Sequence, residues 1–171
     1  MAGKSCRYEA ARNHRDSLAA GLHDCVQGGA SVSSMAPFSV GDARDHFAGI
    51  QTEVESGRPV LLAAFVDGEL VGTVQIVAAW PPNQPHRADV AKLLVLRSAR
   101  NRGVGRLLME RAELEARAGG WTLLVLDTVT GEPAERLHER QGWTRAGVIP
   151  NYALYPDGRP CRTTILWKAV G

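Results

Sequence analysis

Arg100-Asn101-Arg102-Gly103-Val104-Gly105 brings two glycines together with a cluster of arginines, since Arg97 and Arg106 lie on either side of it. Glycine allows backbone to approach a ligand closely, and the first turn of a helix leaves N–H groups unpaired at the positive end of the helix dipole. A helix beginning near Gly103 would therefore form an anion cradle, with the arginines adding charge-assisted bonds to phosphate. Two nucleotide-type readings fail. A phosphate loop needs Gly-Lys followed by Ser or Thr, whereas Gly105 precedes Arg106-Leu107. A dinucleotide fingerprint is mimicked by Gly103, Gly105 and the later Asp127. However, its third glycine position holds Leu108, and Arg97 to Arg102 separate the strand end at Leu96 from Gly103.

The surrounding pattern supplies the elements that must hold this turn. Ala11, Leu18, Leu22 and Val26 predict a first helix over about Glu9 to Gln27, ended by Gly28-Gly29, and Gly28 to Ser34 reads as a loop. Ala43, Phe47, Ile50 and Val54 predict a second helix from Val40 to Ser56, with Ser39 as cap and Gly57 as stop. Val60 to Val66 and Leu70 to Ala79 then form an antiparallel pair through Asp67-Gly68, a dipeptide suited to a tight hairpin turn. Beyond the loop from Pro81 to Arg87, Ala88 to Leu96 is a near-continuous apolar run interrupted by Asp89 and Lys92, as expected of a central strand covered on both faces.

After the arginine turn, a helix from Gly103 to Ala118 leads to a second buried strand, Thr122 to Asp127. This strand–helix–strand unit implies a right-handed crossover between parallel neighbours. A short helix from Pro133 to Gln141 stops at Gly142, and strands over Trp143 to Ile149 and Arg162 to Ala169 complete the chain. No repeat or linker interrupts residues 1–171, which read as one mixed α/β domain.

Composition narrows the functional classes. The 171 residues are 44% hydrophobic and 22% charged, the usage of a soluble globule rather than a disordered or fibrous chain. A formal charge of +2 is too balanced for gripping nucleic acid by charge alone. Cys6, Cys25 and Cys161 lack metal-type spacing, so neither a zinc site nor a disulfide framework is expected, and the reducing cytoplasm is the expected compartment. No signal segment follows the amino terminus. The longest apolar run, Val60 to Val66, is far short of the roughly 20 residues that cross a bilayer, so no membrane partner is expected.

The segment from Lys92 to Leu108 carries the pattern Gln/Arg-x-x-Gly-x-Gly/Ala in full and resembles the central motif of the GNAT superfamily of N-acetyltransferases. The resemblance runs through nearly the whole chain, to Glu139-Arg140-Gln141-Gly142-Trp143 at the end of the short helix. More narrowly, Gly28 to Val32, Arg87 to Gly105, Leu126-Asp127-Thr128 and Pro156 to Arg159 resemble bacterial tabtoxin resistance acetyltransferases. The implied fold is a central mixed sheet of about six to seven strands with helices on both faces. The implied co-substrate is acetyl-CoA, held without metal by main-chain groups of Leu93, Leu94 and Val95 and by Arg100, Asn101, Arg102, Gly103, Val104 and Gly105.

The implied reaction is direct attack of an amine on the thioester, which needs a proton acceptor for the amine and a donor for the departing sulfur. Asp89 lies where histone-modifying members of the superfamily carry a glutamate base. Asp127, a carboxylate at the end of a buried strand, is a second base, an ammonium anchor or a loop cap. His138 follows Leu137 where the family's usual acid is a tyrosine, and Gly131 replaces a frequent asparagine. Ser31, Ser33, Tyr152 and Tyr155 are the expected acceptor contacts, with Trp80 read equally as hairpin packing. The expected acceptor is a small amino-acid-like amine, an antibiotic or a toxin, handled by a monomer or homodimer. A protein or peptide acetyltransferase and a non-catalytic acyl-CoA sensor are the alternatives.

Overall fold

Near-continuous apolar runs along the central strands send consecutive apolar side chains to opposite faces of a sheet, and each face needs its own cover. The computed structural model describes residues 4–6, 14–55 and 59–171. In chain order the elements are β1 (Lys4–Cys6), α1 (Arg15–Gln27), α2 (Val40–Glu55), β2 (Pro59–Val66), β3 (Glu69–Ala78), β4 (Arg87–Val95), α3 (Val104–Ala118), β5 (Leu123–Val129), α4 (Pro133–Arg140), β6 (Thr144–Leu154) and β7 (Pro160–Ala169). They build a 7-stranded sheet in the order β1-β2-β3-β4-β5-β7-β6. Among the described residues only β4 and β5 are parallel neighbours, joined through α3. This is the mixed α/β sheet expected from the sequence.

Helices cover both faces. Leu18 and Leu22 of α1 and Phe47 of α2 pack with Leu61, Ala63 and Leu94 on one side. Val104, Leu108, Met109 and Ala112 of α3 pack with Val74, Ile76, Val90 and Leu124 on the other. The start of α2 is fixed by a reciprocal cap: Asp42 N–H donates to Ser39 Oγ at 3.1 Å while Ser39 N–H donates back to Asp42 Oδ2 at 2.7 Å. No helix among the described residues is long and apolar enough to cross a membrane.

Several boundaries differ from expectation. α1 begins at Arg15, and the expected start at Glu9, like Ser56 and Gly57, lies outside the described residues. Strand β1 was not expected; three residues are too few to show a period. Strand β6 continues past Ile149 to Leu154 because an irregularity between Ile149 and Ala153 absorbs Pro150 and the left-handed Asn151 at the sheet edge.

Candidate active site

The two parallel strands part early. Residue pairing between β4 and β5 is limited to Arg87 with Leu123, Ala88 with Leu124 and Asp89 with Val125. Beyond that point β4 stays with β3 through Val95, and β5 stays with β7 through Val129. The edge of β4 from Val90 onward therefore borders a wedge rather than a strand. A bulge reinforces the divergence. Thr73 pairs with Leu94 and Gln75 with Ala91, so Lys92 and Leu93 share the space opposite Val74, and Lys92 adopts a left-handed φ of 52°. Leu93, Leu94 and Val95, the expected pantetheine-binding residues, all lie along this edge, beyond the pairing with β5.

At the end of β4, Arg97–Ala99 makes one 3-10 turn and the chain passes through left-handed Asn101 into α3. Gly103 is the N-cap at φ 82°, a conformation that costs an L side chain strain. No side chain caps this helix and its first turn holds no acidic residue. Leu107 N–H donates to Gly103 C=O at 3.1 Å, leaving Val104, Gly105 and Arg106 N–H groups without helical acceptors. Gly105 has a different reason to be glycine: an added Cβ would stand 3.1 Å from Leu137 Cδ2 of α4 and 3.8 Å from Val95 Cγ2.

The arginines divide. Arg97 binds Asp24 at 2.8 Å and Arg106 binds Glu110 at 2.6 Å, so both have carboxylate partners within the chain. Arg100 donates from Nε to Val95 C=O at 3.2 Å and stays exposed. Arg102 is exposed with no carboxylate partner among the described residues. Arg100 and Arg102 are thus the cations most available to an incoming anion.

Three charged side chains gather at the wedge. Asp89 forms an ion pair with Arg87 two residues earlier on the same strand. Asp127 stands two residues beyond Val125, solvent-accessible at the mouth. Nearby protein displaces enough water to push its carboxyl above the ordinary range, Lys92 opposes that rise and Asp89 adds to it. Lys92 is half-buried, and burial pushes its ammonium below the usual lysine range, with Asp127 opposing. Its Nζ donates to Val32 C=O at 2.8 Å, tying β4 to the loop after α1. In the sequence Lys92 reads only as a charge interrupting an apolar strand; the structure brings it to the wedge near Asp127.

His138 lies on the inner side of α4, 3% exposed, with its ring 5.9 Å from that of Trp143 and Nδ1 buried without a partner. Burial pushes its pKa down to about 4, so it is a neutral imidazole near pH 7. The turn before α4 is held by buried Glu135, which accepts from Gly131 N–H at 2.6 Å, Thr164 Oγ1 at 2.6 Å and Arg145 at 2.7 Å.

The expected acceptor contacts come together only in part. Ser31 Oγ donates to Leu154 C=O at 2.7 Å, and Ala36 N–H donates to Pro156 C=O at 3.0 Å, so the loop after α1 arches onto the β6–β7 connection. Ser33 is exposed in this loop at φ 65°. Tyr152 is 53% exposed on the irregular part of β6. Tyr155 stacks under Arg159, and its phenol meets Glu132 at 3.5 Å; partial burial and then Glu132 push that phenol up. Trp80 is 88% exposed and lies outside the apolar core. No metal-type cluster occurs among the described residues.

Solved structures share this architecture. An N-acetyltransferase from Staphylococcus aureus Mu50 superposes with a TM-score of 0.83 at 18% identity, covering 98% of this chain and 99% of its own. A GNAT superfamily phosphinothricin acetyltransferase from Sinorhizobium meliloti, in complex with AcCoA, gives 0.82 at 17% identity over 100% of this chain and 90% of its own. Salmonella typhimurium yncA, with its cofactor acetyl-CoA, gives 0.81 at 16% identity over 100% and 95%. At these identities the likeness is one of fold. The family model for the acetyltransferase (GNAT) family matches residues 30–143, a span that includes the loop after α1, the wedge, the glycine turn and α4. The chain belongs to the GNAT acetyltransferase family.

Proposed function

We propose that this protein is an acetyl-CoA-dependent N-acetyltransferase that acts on the primary amine of a small, amino-acid-like molecule by direct attack in a ternary complex. The observation that carries the reading is the end of β4–β5 pairing at Asp89 and Val125 beside a helix whose N-terminus no side chain caps. The edge of β4 at Leu93, Leu94 and Val95, beyond its pairing with β5, suits an extended pantetheine arm. The first turn of α3 with Asn101, Arg100 and Arg102 suits the pyrophosphate. When bound, acetyl-CoA would supply an activated acetyl thioester.

Asp127 is the base of this mechanism. It stands where the strands have separated, it has no ion-pair partner among the described residues, and its raised carboxyl makes it a stronger base than an ordinary aspartate. Asp89, already engaged by Arg87, adds negative charge that draws the cationic amine inward. His138 contributes an N–H hydrogen bond towards the departing sulfur rather than a proton from an imidazolium, because burial keeps it neutral. The loop from Gly29 to Pro37 and the segment from Asn151 to Tyr155 wall the acceptor side. Similarity in fold to a phosphinothricin acetyltransferase supports an amino-acid-like acceptor and detoxification of an antibiotic or toxin as the role.

The test is to incubate the purified protein with acetyl-CoA and a panel of amino acids, amine antibiotics and peptides while following free thiol release and product mass. Turnover on small amines with little on peptides is expected. Thermal stabilisation by acetyl-CoA without turnover on any amine would make the protein a sensor instead, and absence of stabilisation would remove the cradle assignment.

A further inference from the structure

Lys92 and Asp127 face the same wedge with opposite charges, yet no direct ion pair joins them; they interact only across the space between. An ammonium has three N–H donors, and Lys92 uses one, on Val32 C=O. The remaining donors of Lys92 are left without protein partners among the described residues, and the Asp127 carboxylate has only its own backbone N–H as a hydrogen-bond partner there. Lys92 also holds a left-handed backbone conformation in the middle of a strand, which Lys tolerates at an energetic cost. Such strain persists where the surrounding structure imposes it, here a bulge that directs this side chain to the loop walling the acceptor side.

The charged surroundings of this pair are few. Lys92, Asp89 and Arg87 come from β4, β7 places uncharged Ile165 opposite Asp127, and the loop from Gly28 to Pro37 has no ionisable side chain. Arg87 is already committed to Asp89. A ligand carrying only an amine would satisfy Asp127 and leave the half-buried ammonium of Lys92 with unmet donors. A ligand carrying both an amine and a carboxylate would satisfy both.

We propose that Lys92 is a specificity-determining residue that receives the carboxylate of the acceptor while Asp127 receives its amine, so that the acceptors are free amino acids or close analogues with an unblocked carboxylate. The inference rests on the N-acetyltransferase reading and adds to it a requirement on the acceptor.

The experiment compares kcat/KM for a series of amino acids against the matching amino acid amides, which keep the amine and lose the carboxylate charge. Wild type should prefer the acids by at least tenfold. In Lys92→Met that acid-to-amide ratio should collapse at least tenfold, chiefly through KM for the acid, and Lys92→Arg should recover part of it. Equal turnover of acids and amides by wild type would overturn the role of Lys92 while leaving the acetyltransferase reading standing, and it needs no variant to fold. A ratio unchanged in a folded Lys92→Met protein would overturn it likewise. No turnover of either series, or of any other amine, would overturn the acetyltransferase reading and this inference with it.

Discussion

Asp89 and Val125 are the last residues to face each other across the parallel strands β4 and β5, and Asp127 stands just beyond that point. The strand separation thus leaves one carboxylate paired within its own strand and the other at an open mouth. Their titrations should differ in consequence. In the proposed mechanism Asp127 must be ionised to take a proton, and nearby protein raises its carboxyl by displacing water, so activity should rise with pH through a limb above the ordinary aspartate range. Asp127→Asn should remove that limb and lower kcat on the order of 10² or more. Asp89→Asn removes a charge that raises the Asp127 carboxyl, so it should move the limb to lower pH rather than abolish it. A pH profile of kcat/KM for the three proteins distinguishes these outcomes; a limb lost in Asp89→Asn and kept in Asp127→Asn would exchange the two roles.

The arginines of the turn should not be equivalent. Among the described residues Arg102 has no carboxylate to leave, whereas Arg106 must give up Glu110 before it can serve a phosphate. Arg102→Ala should weaken acetyl-CoA binding by roughly tenfold, the scale of one exposed charge-assisted contact, with Arg106→Ala changing it several-fold less. Calorimetric titration of the two variants checks the order, which should compress as salt is raised.

Alanine at the two glycines should separate backbone strain from packing. Gly103→Ala places a side chain at φ 82° and should cost about 1–2 kcal/mol of stability. At Gly105 the obstacle is the flexible end of Leu137 at 3.1 Å, which can yield by a few tenths of an ångström, so Gly105→Ala should cost less. Denaturant melts measure both. The reverse order would mean that α4 is held against the turn more rigidly than its contacts imply.

His138 makes stability depend on pH. Its folded pKa, about 4, lies below the unfolded value near 6.5, so the unfolded chain binds the extra proton between them. The contribution is complete above pH 6.5 and is lost as pH falls towards 4, on the order of 3 kcal/mol in total. Replacing it with Phe, which suits a pocket beside Trp143, should flatten the profile between pH 7 and 5. Denaturation midpoints at several pH values test this, and an unchanged slope would show that His138 is already solvated in the native protein.

Much of this arrangement was legible in the chain because backbone chemistry announces itself. The glycine turn, its position between a strand and a helix, and the Asp67-Gly68 hairpin rest on local spacing, and the structure places them as expected. What local spacing does not carry is pairing between distant segments. The separation of β4 from β5, the link from Lys92 to Val32 and the partners that divide Arg97 and Arg106 from Arg100 and Arg102 all depend on residues brought together by folding. Lys92 did leave a trace, as a charge inside an apolar strand beside Asp89. A buried histidine also looks the same in sequence as an exposed one; only the packing against Trp143 shows that its charged form is disfavoured.

The arch from Ser31 to Leu154 joins segments 123 residues apart in the chain, and neither footing belongs to the glycine turn. In the proposed reading, the walls of the acceptor side and the turn that takes the pyrophosphate are therefore written in separate stretches of sequence, with Lys92 and Asp127 between them on β4 and β5. The walls can drift or be exchanged while the turn stays in place, so in that reading a lineage built on this frame can adjust the acceptors it takes by altering a short span after the first helix and its footing near the end of β6.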